Sequence, residues 1–295
     1  MEDFSYANLI CQETQPLLDA HDGDGDQIGI EHEHIDEYIE ILVSKETSFE
    51  TKRCNVLLSS WFKRARSDSI KWIMKTRAYF NFSHQIAYLA VTYYDRFLMR
   101  RRLEKDKSWV FRLLSIASLS LAAKMEEGVV PPLSEYESEE HIFDSNTIQR
   151  MELLILSTLE WRMNSVTPFA YLSYFKSKLQ LGNEPRDFAS KSVGFIFGII
   201  DDINLVDHRS STIAAAAVLA ASDHQRLNKQ VVESKLSIFS SCAALELDHV
   251  FSCYAMMTEE SRNCPSAGDN NTSFITRSNK RRRLEMDNIH EKKSP

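Results

Sequence analysis

Leu9, Cys11 and Glu13 form a Leu-x-Cys-x-Glu run in an N-terminal stretch poorly suited to a folded core. The period of that run is two. In an extended strand, positions i, i+2 and i+4 point the same way. One face then presents an apolar group, a small thiol and a carboxylate, while the backbone stays free to pair with a groove. That is the chemistry of a short peptide docking on a preformed surface, not of catalysis. The other reactive side chains assemble nothing comparable. Nine scattered histidines mark no nucleophile–base pair, and Cys11, Cys54, Cys242, Cys253 and Cys264 lack the paired spacing of a metal site. There is no nucleotide-binding glycine loop. Asp22, Asp24, Asp26 and Glu33 have part of the spacing of a calcium loop, but Gln27 stands where the sharp turn needs Gly. A solvated acidic linker is the better reading. The alternation Glu31–His34 reads as the polar start of a helix. Neither a cofactor nor a metal is expected.

The composition narrows the class. With 295 residues, 43% hydrophobic, the chain can bury one large or two ordinary cores. Only 8 Gly and 7 Pro, none of the prolines between Pro16 and Pro131, argue against a strand-and-turn architecture. The net charge of −7 hides a polarity. The first forty residues carry acids and no Lys or Arg, whereas the end is basic around Lys280, Arg281, Arg282 and Arg283. The acidic balance argues against a general nucleic-acid binder. No apolar run reaches membrane-spanning length, and no signal-peptide pattern occurs. The odd cysteine count fits a reducing intracellular compartment.

Helical spacing dominates from residue 33 onward. Ile35, Ile39, Leu42 and Val43 predict a short amphipathic helix to about Ser44. A second helical region spans 54–80 with a break near Ala65–Ser67. Ser83 caps a helix from His84 to Arg100. The stretch Lys107–Glu127 is apolar nearly all round and should be buried at the centre of its domain, ended by Gly128 and Pro131-Pro132. A short helix near Ser134–His141 follows, then one capped by Ser145 or Asn146 and running to about Trp161. A second set opens at Thr167-Pro168 and runs to Leu181. Pro185 begins a helix to about Ile203. Ser210–Asp223, rich in alanine, should be the centre of this set, and helices near 228–238 and 244–258 complete it. The expected fold is all-α, two tandem five-helix domains of similar plan with a short N-terminal helix and disordered termini. The boundaries are a 1–32 acidic arm, a 33–163 first domain, a 164–260 second domain and a 261–295 basic tail.

Three strings carry a family likeness: Tyr93-Tyr94-Asp95-Arg96-Phe97-Leu98, Leu121-Ala122-Ala123-Lys124-Met125-Glu126-Glu127 and Met151-Glu152-Leu153-Leu154-Ile155-Leu156. With Arg66, Asp95, Leu113, Lys124 and Glu152, the chain matches all five positions of the cyclin box's polar signature. It resembles a cyclin, and with Leu9, Cys11 and Glu13 it resembles a plant D-type cyclin, since that motif is similar to the peptide that fills the pocket of retinoblastoma-type proteins. The resemblance implies a regulatory, non-enzymatic subunit made of two stacked cyclin folds. It implies that Lys124 and Glu152 meet a cyclin-dependent kinase near its mobile regulatory helix, with Met125, Leu156 and Leu159 as apolar neighbours. It implies an internal Arg66–Asp95 pair fixing the first box helix against the second. Retinoblastoma-related protein is the expected second partner, and G1/S progression the expected role. Nucleic acid and membrane are not expected partners.

One stretch departs from the family. Where many cyclins have Met-Arg-Ala-Ile-Leu, a patch that docks substrates, this chain has Ala65-Arg66-Ser67-Asp68-Ser69. A charge in place of an apolar anchor predicts weak or absent recruitment there. In the tail, Lys280–Arg283 resembles a nuclear localisation cluster, so the nucleus, with some cytoplasmic presence, is the expected location. Ser294-Pro295 has the minimal form of a proline-directed phosphorylation site. Two other readings share the fold: a cyclin-fold transcription factor, and a helical scaffold without kinase activation.

Overall fold

Two helices carry almost no exposed surface, and the rest of the chain is wound on them. The computed structural model describes residues 28–47, 60–101, 103, 107–127, 130–136, 141–179, 187–202, 208–222, 227–239 and 245–263. In chain order they form α1 (Ile28–Thr47), α2 (Ser60–Phe80), α3 (His84–Arg100), α4 (Ser108–Glu126), a 3-10 turn (Leu133–Glu135) and α5 (Ser145–Thr158). Then come α6 (Phe169–Lys178), α7 (Phe188–Gly198), α8 (Ser210–Ser222), α9 (Lys229–Phe239) and α10 (Leu247–Asn263). Every residue of α4 from Leu113 to Ala123 is buried, as is every residue of α8 from Ser211 to Ala221. α4 packs against α2, α3 and α5, and α8 against α6, α7 and α10. Small residues on both central helices let their neighbours approach closely. The serines among them need internal partners, and Ser115 Oγ donates to Phe111 O at 2.8 Å within its own helix.

The two sets meet along an aromatic seam. Tyr88 of α3 stacks edge-on against Phe169 of α6 at 5.8 Å, and His84 lies 5.3 Å from Phe197 of α7. Burial and the neighbouring Arg77 hold His84 below its usual range, so its ring meets the seam neutral. The Tyr93 hydroxyl donates to Met163 O at 2.9 Å in the segment that joins the sets.

Arg66 is the polar centre of that junction. Only 2% of it is exposed. Its Nε and Nη2 donate to the two carboxylate oxygens of Asp95, both at 2.8 Å, tying α2 to α3. Its remaining donors reach the second set: Nη1 to Asp201 O at 2.9 Å and Nη2 to Ile200 O at 3.1 Å, just past the end of α7. Burial opposes the charge of the guanidinium, but Asp95 beside it more than offsets that and raises its pKa above the ordinary value.

α1 fastens onto the second set as well. Glu46, buried near its C-terminus, accepts from Ser211 N and Ser211 Oγ, both at 2.8 Å. A carboxylate at the start of α8 satisfies orphan donors and meets the positive end of the helix dipole. Burial raises the Glu46 pKa, and the two bonds from Ser211 hold back part of that rise. Lys178 at the end of α6 pairs with Asp36 at 3.2 Å.

Several expected boundaries move. α1 begins at Ile28, five residues inside the expected arm, and runs to Thr47. α2 passes through Ala65–Ser67 without a break, because the polar face there is occupied by Arg66 and its partners. Of the helix expected near Ser134–His141, the described residues show the 3-10 turn Leu133–Glu135, and residues 137–140 lie outside the described residues. The cap of α5 is Asp144, whose Oδ1 accepts from Thr147 N at 2.6 Å. α5 stops at Thr158, not Trp161, since Glu160 and Trp161 turn left-handed. Trp161 N then donates to Leu156 O and Glu160 N to Ser157 O, a Schellman closure with no glycine. α7 starts at Phe188 and α10 continues to Asn263, past the expected start of the tail.

Replacing Arg66 with Ala should lower stability by roughly 3–5 kcal/mol, since a nearly buried Asp95 loses a bidentate cation and two carbonyls lose their donors. Arg66→Lys should recover little, because one ammonium cannot reproduce four directed bonds. Thermal unfolding of the isolated protein checks both; a melting temperature unchanged in Arg66→Ala would refute the role.

Candidate partner-binding surface

Lys124 sits in the last turn of α4, where a cation is favoured by the helix dipole. Its ammonium donates to both carboxylate oxygens of Glu152 at 2.7 Å. The pair is lopsided: the Lys124 side chain is 42% exposed and that of Glu152 only 8%. Glu152 projects from the middle of α5, which packs against α4. Each charge near the core therefore has a partner inside the chain, and the pair presents its ammonium edge to solvent.

The surroundings are apolar and open. Met125 follows Lys124 and is exposed. On α5, Leu153 is exposed and Leu156 is half-buried, three residues apart on the same side of the helix as Glu152. Ile142, just before α5, is 98% exposed. Leu153 and Ile142 were not singled out from the sequence. Leu153 could have been, by its i, i+3 relation to Leu156; Ile142 lies in irregular chain where spacing carries no signal. Leu159 is a correction: it is fully buried, packed into the core below the end of α5, and offers nothing to a partner. Leu113, of the polar-signature set, is likewise buried in α4.

The neighbouring corner is closely tied to this surface. Gln85 in the first turn of α3 donates to Glu126 Oε2 at 2.7 Å. Burial raises the Glu126 pKa, and the Gln85 bond opposes the rise. Tyr136, buried after the 3-10 turn, feels Glu152 electrostatically.

The stretch Ala65–Ser69 forms no apolar patch. Arg66 is inside the junction. Ser69 is buried, with its Oγ donating to the Tyr94 hydroxyl at 3.0 Å. Ser67 Oγ donates to Asp201 Oδ2 at 2.8 Å, and exposed Asp68 lies 3.9 Å from Lys71. Trp72 is half-buried with the Arg112 guanidinium 5.5 Å from its ring centroid. The positions that face outward are polar. Leu9, Cys11 and Glu13 lie outside the described residues, as do Lys280, Arg281, Arg282 and Arg283.

What this arrangement can do is bind. Among the described residues no group of three metal-ligating side chains occurs, and no helix is long and apolar enough to cross a membrane.

Two helical sets wound on buried central helices define the cyclin fold. A solved viral cyclin from herpesvirus saimiri superposes on 78% of this chain and 96% of its own, with a TM-score of 0.57 at 16% identity. The family model for the cyclin N-terminal domain matches residues 37–164. Cyclin-D5-1 of Arabidopsis thaliana is 36% identical over 273 residues, covering 86% of this chain and 83% of that protein. Cyclin-D5-2 of Oryza sativa subsp. japonica is 44% identical over 217 residues, and there the match spans only 60% of the relative's length. The chain belongs to the plant D-type cyclins, a family of regulatory subunits and not of enzymes.

Lys124→Ala alone should destabilise the free protein by roughly 1–3 kcal/mol, because it leaves a buried carboxylate without its cation. Adding Glu152→Ala should recover part of that loss. Denaturant unfolding of both singles and the double closes the cycle; strictly additive effects would show that the pair does not couple.

Proposed function

We propose that this chain binds a cyclin-dependent kinase through the Lys124–Glu152 surface and holds it in the active state. The observation that carries the reading is a buried carboxylate paired to a half-open ammonium, beside Met125 on α4 and Leu153 and Leu156 on α5. Lys124 and Glu152 each keep hydrogen-bonding capacity beyond their mutual bonds, the one as donor and the other as acceptor. They can therefore take a backbone carbonyl and a backbone N–H of the kinase without separating. Because Glu152 is already desolvated and held, less has to be ordered on binding.

The chain itself does no chemistry. A protein kinase needs its active-site Lys–Glu pair formed and its activation loop opened. A rigid surface that accepts only the active placement of the regulatory helix shifts the population toward it. Moving a kinase from 1:99 to 99:1 takes a differential affinity of about 5.5 kcal/mol, within reach of an apolar surface with a charged centre.

The second part of the reading concerns the N-terminal arm. Leu9, Cys11 and Glu13 dock as a strand in the pocket of a retinoblastoma-related protein, bringing that repressor to the kinase and promoting the G1/S transition. The alternation of the motif, placed ahead of both helical sets, supports this. The Lys280–Arg283 run supports a nuclear location.

Lys124→Ala with Glu152→Ala should remove kinase binding while the fold persists, a loss on the order of 2–5 kcal/mol in affinity. Co-purification with the kinase followed by a repressor phosphorylation assay is the test; a double variant that binds and activates like the parent would sink the assignment.

Cys11→Arg should abolish retention of the retinoblastoma-related protein and leave kinase activation at the parental level. A pull-down in which this variant keeps the repressor would show the motif to be accidental. Loss of kinase activation in the same variant would contradict an arm that acts independently of the helical body.

A further inference from the structure

The α2–α3 corner displays a second anchoring element beside the Lys124–Glu152 surface. Tyr79, in the last turn of α2, is 79% exposed. Its ring stands edge-on to Phe80, centroids 5.0 Å apart. Phe80 in turn lies 5.0 Å from Tyr136 and 5.3 Å from Phe82, both buried. An exposed aromatic at the tip of a run of rings that ends in the core is held ready for a partner.

The corner beneath it is rigid. Asn81 turns left-handed at φ 56°, a conformation Asn tolerates. Phe82 N donates to Arg77 O at 3.0 Å and Asn81 N to Ala78 O at 3.4 Å, closing α2 with a Schellman motif. Arg77 Nε returns to Phe82 O at 2.9 Å, and Ser83 Oγ caps α3 by accepting from Ile86 N. Large, fixed aromatic rings are the side chains that dominate interfaces, since little entropy is lost when they are covered.

Two independent links join this corner to the proposed kinase site. Gln85 bonds Glu126, next to Met125 and two residues from Lys124. The 3-10 turn packs on α5, and Tyr136 just after it lies 5.0 Å from the Phe80 ring. The Gln85–Glu126 bond thus ties the start of α3, next to the corner that carries Tyr79, to the turn that carries Lys124.

We propose that Tyr79, carried on the Phe80–Tyr136 aromatic run, is a second anchor for the same kinase, packing against an apolar part of it beside the Lys124–Glu152 contact. This rests on Lys124 and Glu152 being the kinase site. Tyr79 contributes affinity and selectivity among kinases, while the charged pair determines register.

The test measures binding of a purified plant cyclin-dependent kinase to the full chain by calorimetry. Tyr79→Ala should weaken binding about tenfold. Tyr79→Phe, which keeps the ring, should stay within about twofold of the parent, well under the effect of removing a ring. Trp161→Ala, another exposed aromatic but at the far end of α5, should bind as the parent does. Melting temperatures should not change in the Tyr79 variants, since that side chain supports no core. Parental affinity in Tyr79→Ala together with lost binding in the Lys124/Glu152 double variant would overturn the anchor and leave the kinase site standing. Parental binding in both would remove the kinase site itself. An equal loss in Trp161→Ala would show that the effect is unspecific and would also overturn the anchor.

Discussion

A single guanidinium holds the two halves of this molecule together. Arg66 neutralises Asp95 within the first helical set and, with the donors left over, takes two carbonyls at the end of α7 in the second. Those carbonyls lie in the turn just past α7, outside any helical ladder, so they need a donor from elsewhere. The same residue thus solves two problems: a buried carboxylate and two turn carbonyls after α7. Lysine could do either, but not both, because only the planar fork carries enough directed donors. This one site fixes α2 and α3 against the end of α7.

Other joints follow the same rule. Glu46 caps α8 from α1, and the Tyr93 hydroxyl reaches the connecting segment. In each case a polar atom that is buried anyway is satisfied by a backbone group from another element. Burying a polar group without a partner is costly, so such contacts specify one arrangement more sharply than apolar packing does. Apolar contacts along the seam, such as Tyr88 against Phe169, add area but tolerate sliding. A platform meant to select one conformation of a partner needs the sharper kind of constraint.

The all-helical class, the two sets and their central helices were legible because periodicity and alanine content report burial directly. The Arg66–Asp95 pair followed from the family resemblance. Its bonds to Ile200 and Asp201 did not, since a contact across 134 residues to backbone atoms leaves no trace in side-chain identity. Glu46 escaped for a similar reason. An acid near a helix C-terminus looks unfavourable alone and becomes useful only once α8 points its first donors at it. Leu159 shows the opposite failure: the resemblance carried it over as a partner contact, but the structure buries it fully. Two left-handed residues end α5 just after it. Turn chemistry without glycine, as at Glu160 and Trp161, is hard to foresee because non-glycine residues seldom adopt it.

The polar stretch Ala65–Ser69 and the apolar surface around Lys124 belong to one division of labour. Ser67 and Ser69 spend their hydroxyls on Asp201 and Tyr94, reinforcing the junction that Arg66 centres. A residue engaged in holding the folds together cannot also offer an apolar contact to a substrate. On the proposed function, recruitment comes instead from the Leu9–Glu13 segment. A tethered peptide brings its ligand near by raising local concentration, and it does so without requiring any particular geometry of the helical body. That separation lets α2 be spent on structure, while α4 and α5 keep an open face around a pair whose carboxylate is already dehydrated.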